Sequence, residues 1–171
     1  MEKLKKFQTM AFVNISETED ADWARIGYST IFDLVLNANI VTNDYIKDEM
    51  PTDEVTHYKP TMSQELQTIK GDKAFDHIYD MLYNLPTGEA LKRDVLIIFA
   101  GNIGTATDKK FKAWLVPASV VITNLNTVDE KILFDLNFGG TITKGTATVT
   151  DGKPVFEEAK TEATEDTGLE T

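Results

Sequence analysis

A chain of 171 residues with 28 acidic against 17 basic side chains carries a formal charge of −11, no cysteine and only two histidines. Those totals exclude disulfides, thiolate metal sites and cysteine nucleophiles. They also argue against a nucleic-acid binder, because affinity for phosphate rests on Lys and Arg, and the length suits one domain with a real core.

The first residues, MEKLKKFQTMAF, have lysines but no apolar run behind them, so they read as no signal peptide. The longest unbroken apolar run, Val95–Ala100, is far short of a membrane span, and no membrane is expected. Residues 1–20 read as an N-terminal arm carrying a short edge strand at Met10–Val13. Trp23–Thr30 reads as a strand with Ala24, Ile26 and Tyr28 on one face, and Ile31–Leu36 extends it or pairs with it.

Residues 37–53, NANIVTNDYIKDEMPTD, read as a long loop with hydrophobic teeth: Ile40, Val41, Tyr45, Ile46 and Met50. Loops of that length in compact domains are functional or disordered, and the apolar content speaks against disorder. Two destinations stay open for the teeth: another chain, or the loop's own domain.

From Val55 to Ile69 the sequence alternates. Tyr58, Pro60, Met62 and Leu66 fall on one side, and His57, Lys59, Thr61, Ser63, Glu65 and Gln67 on the other, which is the period of a strand with one wet face. Fully extended, it would span roughly 50 Å, so a bend is expected, with Pro60 as its site. The period then changes to that of a helix. Phe75, Ile78, Leu82 and Leu85 form an apolar stripe, Asp72 is placed to cap its start, and Pro86 and Gly88 end it.

Asp94–Ala100 is continuously apolar, as befits a central strand buried on both faces. Residues 101–110, GNIGTATDKK, read as a turn. Their spacing does not match a phosphate loop, and they lead into a strand. Lys110–Ile122 reads as a strand that could break at Pro117, with Trp114, Val116, Val120 and Ile122 on one face. Ile132–Phe138 alternates cleanly, placing Asp135 and Asn137 on its wet face. Gly139–Gly140 bends the chain into the Thr-rich strand Thr141–Thr150, and Asp151–Gly152 is a strong hairpin signal. The domain is expected to cover residues 1–156. Residues 157–171, with six acids and no aromatic residue, read as a flexible acidic tail.

The sum is a mainly β protein, an antiparallel β-sandwich or barrel with one flanking helix. Chemistry is hard to find. Asp76, His77 and Asp80 share the helix but read as a solvated face, and a Ser63–His57 pair lacks any supporting signature. No catalysis, cofactor or metal site is expected. Trp23 and Trp114 fall in core registers rather than on a ligand platform.

The order of W-A-R-I-G (Trp23–Gly27), D-Y-I (Asp44–Ile46), Y-K-P (Tyr58–Pro60), K-G-D (Lys70–Asp72), F-D-x-I (Phe75–Ile78) and G-T-I-T-K-G-T-A-T-V (Gly140–Val149) resembles the major tail tube proteins of long, non-contractile-tailed phages, the siphoviruses, of Gram-positive hosts. The resemblance implies the tail-tube fold and hexameric rings stacked into a hollow tube. It implies a tape-measure protein inside, tail terminator and distal tail proteins at the ends, and DNA passing through the lumen. It also implies assembly in the host cytoplasm, terminal arms that link subunits, and a long loop, here Asn37–Asp53, that reaches the adjacent ring. Glu65 and Asp135, each on a wet parity, are the expected lumen-facing acids. The alternative is a monomeric β-sandwich module that binds carbohydrate or protein.

Overall fold

The computed structural model describes residues 3–101 and 110–159. Its strands are β1 (Thr9–Asn14), β2 (Trp23–Arg25), β3 (Asp33–Val35), β4 (Ala38–Asn43), β5 (Thr52–Tyr58), β6 (Thr61–Gln67), β7 (Lys92–Phe99), β8 (Phe111–Asn126), β9 (Lys131–Phe138), β10 (Thr143–Thr150) and β11 (Lys153–Glu158), with helix α1 (Lys73–Asn84) between β6 and β7. The protein is mainly β, with antiparallel sheets and one flanking helix, as its patterning predicts.

The main sheet runs β2-β1-β7-β8-β9-β6-β3, and the β10–β11 hairpin joins it along β8. The sheet curls on itself. The segment after β2 returns to β6, where the Thr30 N–H donates to the Glu65 carbonyl at 2.9 Å and the Gln67 N–H to the Tyr28 carbonyl at 3.1 Å. Two cores result, one on each face of β7. Val95 and Ile97 enter the larger core with Met62, Leu66, Phe134 and Leu136. Leu96 and Ile98 enter the smaller one with Phe12, Ala113 and Ala147. That double burial is why the VLII run has no polar alternation.

Helix α1 closes the larger core. The Asp72 carboxylate accepts the Phe75 N–H at 3.0 Å, as expected for the N-cap. Ala74, Phe75, Ile78 and Met81 are buried, and full burial of each large side chain stabilises by about 1.5–3 kcal/mol. The stripe ends a turn earlier than its spacing predicts. Leu85 sits in the left-handed C-cap position, φ 46°, and is 78% exposed.

Several expectations are corrected. Residues 1–20 are not an arm throughout, because β1 lies inside the sheet between β2 and β7 and buries Ala11, Phe12 and Val13. The strand expected over Trp23–Thr30 stops at Arg25; Ala24 and Ile26 are buried as expected, whereas Tyr28 is exposed. The single strand expected over Val55–Ile69 is two strands in different sheets, β5 and β6, separated at Lys59–Pro60. Alternation holds in β6 and fails in β5, which is exposed on both faces. Residues 37–53 are not a loop but most of a β4–β5 hairpin.

Pro117 does not break β8. Its carbonyl accepts the Gly139 N–H at 2.9 Å, on the edge away from β7. Its missing N–H therefore falls on that same edge, between the stretch of β8 that pairs with β10 and the stretch that pairs with β9. The irregularity in β8 comes later, at Ile122–Asn124. Asp151 and Gly152 both have positive φ, 51° and 77°, the turn that their dipeptide predicts. Glu157 and Glu158, expected to begin the acidic tail, belong to β11, and Glu157 accepts the Lys110 ammonium at 2.6 Å. Most of that tail, residues 160–171, and most of the 101–110 turn lie outside the described residues.

Candidate assembly surfaces

The β4–β5 hairpin projects from the body as its own two-stranded sheet. Nearly every residue of both strands is exposed. Local polar pairs hold its register: the Thr42 hydroxyl donates to Asp53 at 2.6 Å, and the Asn39 amide donates to Thr56 Oγ1 at 2.7 Å. At its base the Asn37 side chain donates to the Lys59 carbonyl at 3.1 Å, tying the two strands where they leave the sheet.

All five expected teeth lie on this hairpin and are exposed to solvent. Ile40 pairs with Val55 across the ribbon and is 57% exposed. Val41 faces Glu54. Tyr45, Ile46 and Met50 crowd the Asp44–Pro51 turn, where Ile46 is fully exposed and Met50 is 75% exposed. Of the two destinations left open by the sequence, the protein's own interior is the wrong one. Val55 and Tyr58 join the same exposed apolar set and were missed by the sequence reading. The signal was present: two β-prone runs, Ala38–Asn43 and Thr52–Tyr58, flank a turn-rich DYIKDEMP stretch.

Glu65 and Asp135 come together on one face of the main sheet. Ser63 stands directly opposite Asp135 in the β6–β9 register, and its hydroxyl donates to Asp135 at 2.6 Å. Glu65 follows two residues on, on the same side. It is not a bare acid. The Lys131 ammonium contacts it at 2.9 Å and the Thr30 hydroxyl at 3.0 Å. Hydrogen bonds from these two groups hold the Glu65 carboxyl below its ordinary pKa, and the Glu65 bond raises that of Lys131. Locally the pair is neutral, so Asp135 carries more of this face's negative potential.

The remaining candidates have structural partners. His57, on exposed β5, bonds the Thr56 hydroxyl at 3.1 Å, while Ser63 is taken up by Asp135, so no Ser–His pair forms. Asp76 accepts the Gly71 N–H at 3.2 Å, and Asp80 accepts the Asn84 amide at 3.1 Å. His77 Nε2 accepts Arg93 Nε–H at 3.2 Å, which assigns the remaining ring proton to Nδ1. Burial first, then the Arg93 charge, lower the His77 pKa. Among the described residues no group of three or more His, Asp or Glu side chains could hold a metal ion, and no helix is long and apolar enough to cross a membrane. Trp114 stacks edge-on against Phe99 at 5.0 Å, and Trp23 packs against the smaller core.

No family model matches the chain, and no curated protein matches it. Among solved structures, a chain of the "Cryo-EM structure of the anti-feeding prophage (AFP) baseplate, 6-fold symmetrised" is similar, with a TM-score of 0.46 and 6% sequence identity over 84% of this chain and 96% of that chain. A likeness at that level fixes no function.

Proposed function

We propose that the chain is a structural protein of a phage particle, a siphovirus tail-tube subunit that self-assembles into stacked hexameric rings. The rings would enclose a tape-measure protein, end at terminator and distal tail proteins, and pass DNA through a lumen that does not bind it specifically. The proposal gives the chain no reaction and no cofactor. Its place is the virion tail, after assembly in the host cytoplasm.

One observation carries the reading. A two-stranded ribbon is marginal in water on its own, yet the β4–β5 hairpin stands clear of the body with seven large apolar side chains exposed. Such a patch is the mark of a surface that a partner covers. The motif order, which resembles that of tail tube proteins, supports a sister copy as that partner. The polar β6–β9 face, with Asp135 unneutralised by any lysine among the described residues, suits a wall along which phosphates slide.

Negative-stain electron microscopy of the purified protein across a concentration series tests this. Rings or tubes are expected at high concentration or on nucleation. A monomer at every concentration, also with tape-measure and tail-tip proteins supplied, overturns the reading in favour of a monomeric binding module.

A further inference from the structure

The hairpin tip has a chemical character of its own: three acids, Asp44, Asp48 and Glu49, against one lysine, set among Tyr45, Ile46 and Met50. A groove of about 450 Å³ on the body has the opposite character. It runs between the start of β1 and the 25–32 crossover, and Lys6, Arg25, Phe7, Met10, Ile31 and Phe32 line it. No acid lines it, in a protein with a net charge of −11. Among the described residues neither Lys6 nor Arg25 has an ion pair or a side-chain hydrogen bond, and Phe7 and Phe32 remain exposed.

We infer that this groove is the receptor for the hairpin tip of a second copy. The inference rests on the assembly reading above and names the surface that completes it. Apolar side chains of the tip enter between Phe7 and Phe32, and its carboxylates meet Lys6 and Arg25 at the rim. Charge and apolar character are complementary at both levels. Within one chain the tip does not fill the groove, since Ile46, Phe7 and Phe32 are all exposed. The hairpin leaves the body at Ala38, six residues beyond Phe32, and its strands carry the tip roughly 20 Å away. Donor and receptor are different patches, so the contact is proposed to run head to tail, closing into a ring or continuing from layer to layer; a reciprocal exchange of tips about a two-fold axis would instead stop at a covalent dimer on disulfide trapping.

The chain has no cysteine, which permits clean disulfide trapping in the full-length protein. The double variant Ile46→Cys, Phe32→Cys is expected to give a ladder of covalent oligomers on mild oxidation. Ile46→Cys with Tyr83→Cys, whose second position is an exposed site on helix α1, is expected to give none. A ladder of equal strength from the control, or none from the first pair, overturns the inference. So does a ladder that appears only once residues 160–171 are removed, which would make the acidic C-terminal segment the groove's occupant in the full chain.

Charge reversal separates this proposal from the assembly reading itself. Lys6→Glu with Arg25→Glu, and separately Asp48→Lys with Glu49→Lys, are each expected to raise the critical concentration for assembly at least tenfold. An equimolar mixture is expected to recover assembly. If the tip variant fails and the groove variant assembles like wild type, the hairpin is the donor and this groove is not the receptor. If wild type never assembles, the assembly reading falls, and this inference falls with it.

Discussion

Gln64 is the one buried polar side chain among the described residues, 1% exposed, with neither its amide oxygen nor its nitrogen hydrogen-bonded. It lies on the core parity of β6, between Met62 and Leu66. An unsatisfied buried amide costs about 1–3 kcal/mol, so Gln64→Met, similar in volume, is expected to raise stability by about 1–2 kcal/mol in urea unfolding. Gly145 is constrained from the other direction. A Cβ there would collide with the Glu157 carbonyl oxygen and lie 2.7 Å from the Phe156 ring. Gly145→Ala is expected to cost about 1–3 kcal/mol, the usual range for overpacking, read as a lower Tm. His77 gives a pH signature. Its folded pKa lies below 6.5, lowered by burial and by Arg93 and opposed by Asp80 and Glu17. Its neutral form is therefore accommodated in full above that value, and stability drains away as pH falls from about 6.5 through the folded pKa. His77→Gln is expected to flatten that limb of a stability–pH curve.

At the scale of elements, the hairpin decides most. Its contacts are local, so replacing Asp44–Pro51 by a short Asn-Gly turn is expected to leave circular dichroism and Tm close to wild type while abolishing rings and tubes in electron micrographs. A large fall in Tm would instead mean that the body depends on the tip. Helix α1 and strands β7 and β9 were legible because each has a strict period: helical spacing from Phe75, continuous burial in β7, and Ile132–Phe134–Leu136–Phe138 alternating without exception. The hairpin was misread as a loop because no face of it is buried. With nothing to alternate against, β4 and β5 carry no hydrophobic period. Likewise Pro60 separates two sheets rather than bending one strand, and the residues before it gave no sign that Tyr58 leaves the core.

For the molecule as a whole, the proposed docking of the hairpin in a neighbour would bring mass action into its stability. Unfolding monitored by calorimetry is expected to show a Tm that rises with protein concentration in the wild type and stays flat in the tip-replaced variant. A net charge of −11 opposes association of like copies, and under the proposal the match of an acidic tip with a basic groove is what offsets it. The same balance bears on the sheet face shared by Ser63, Glu65, Lys131 and Asp135. Its charge is set by which acids find a partner, and Glu65 has found one.

Period and turn chemistry alone determined the β class, the single capped helix, the doubly buried β7, the Asp151–Gly152 hairpin and the absence of thiol chemistry, since each depends on interactions within a few residues or on composition. Tertiary structure decided what depends on pairing across distance. It placed β1 inside the sheet, raised residues 38–58 as a projecting ribbon, joined Glu65 to Lys131 and, among the described residues, left Arg25 without an acid. A strand's neighbours are chosen by the whole sheet, and no local pattern records whether an exposed apolar residue awaits its own core or another chain.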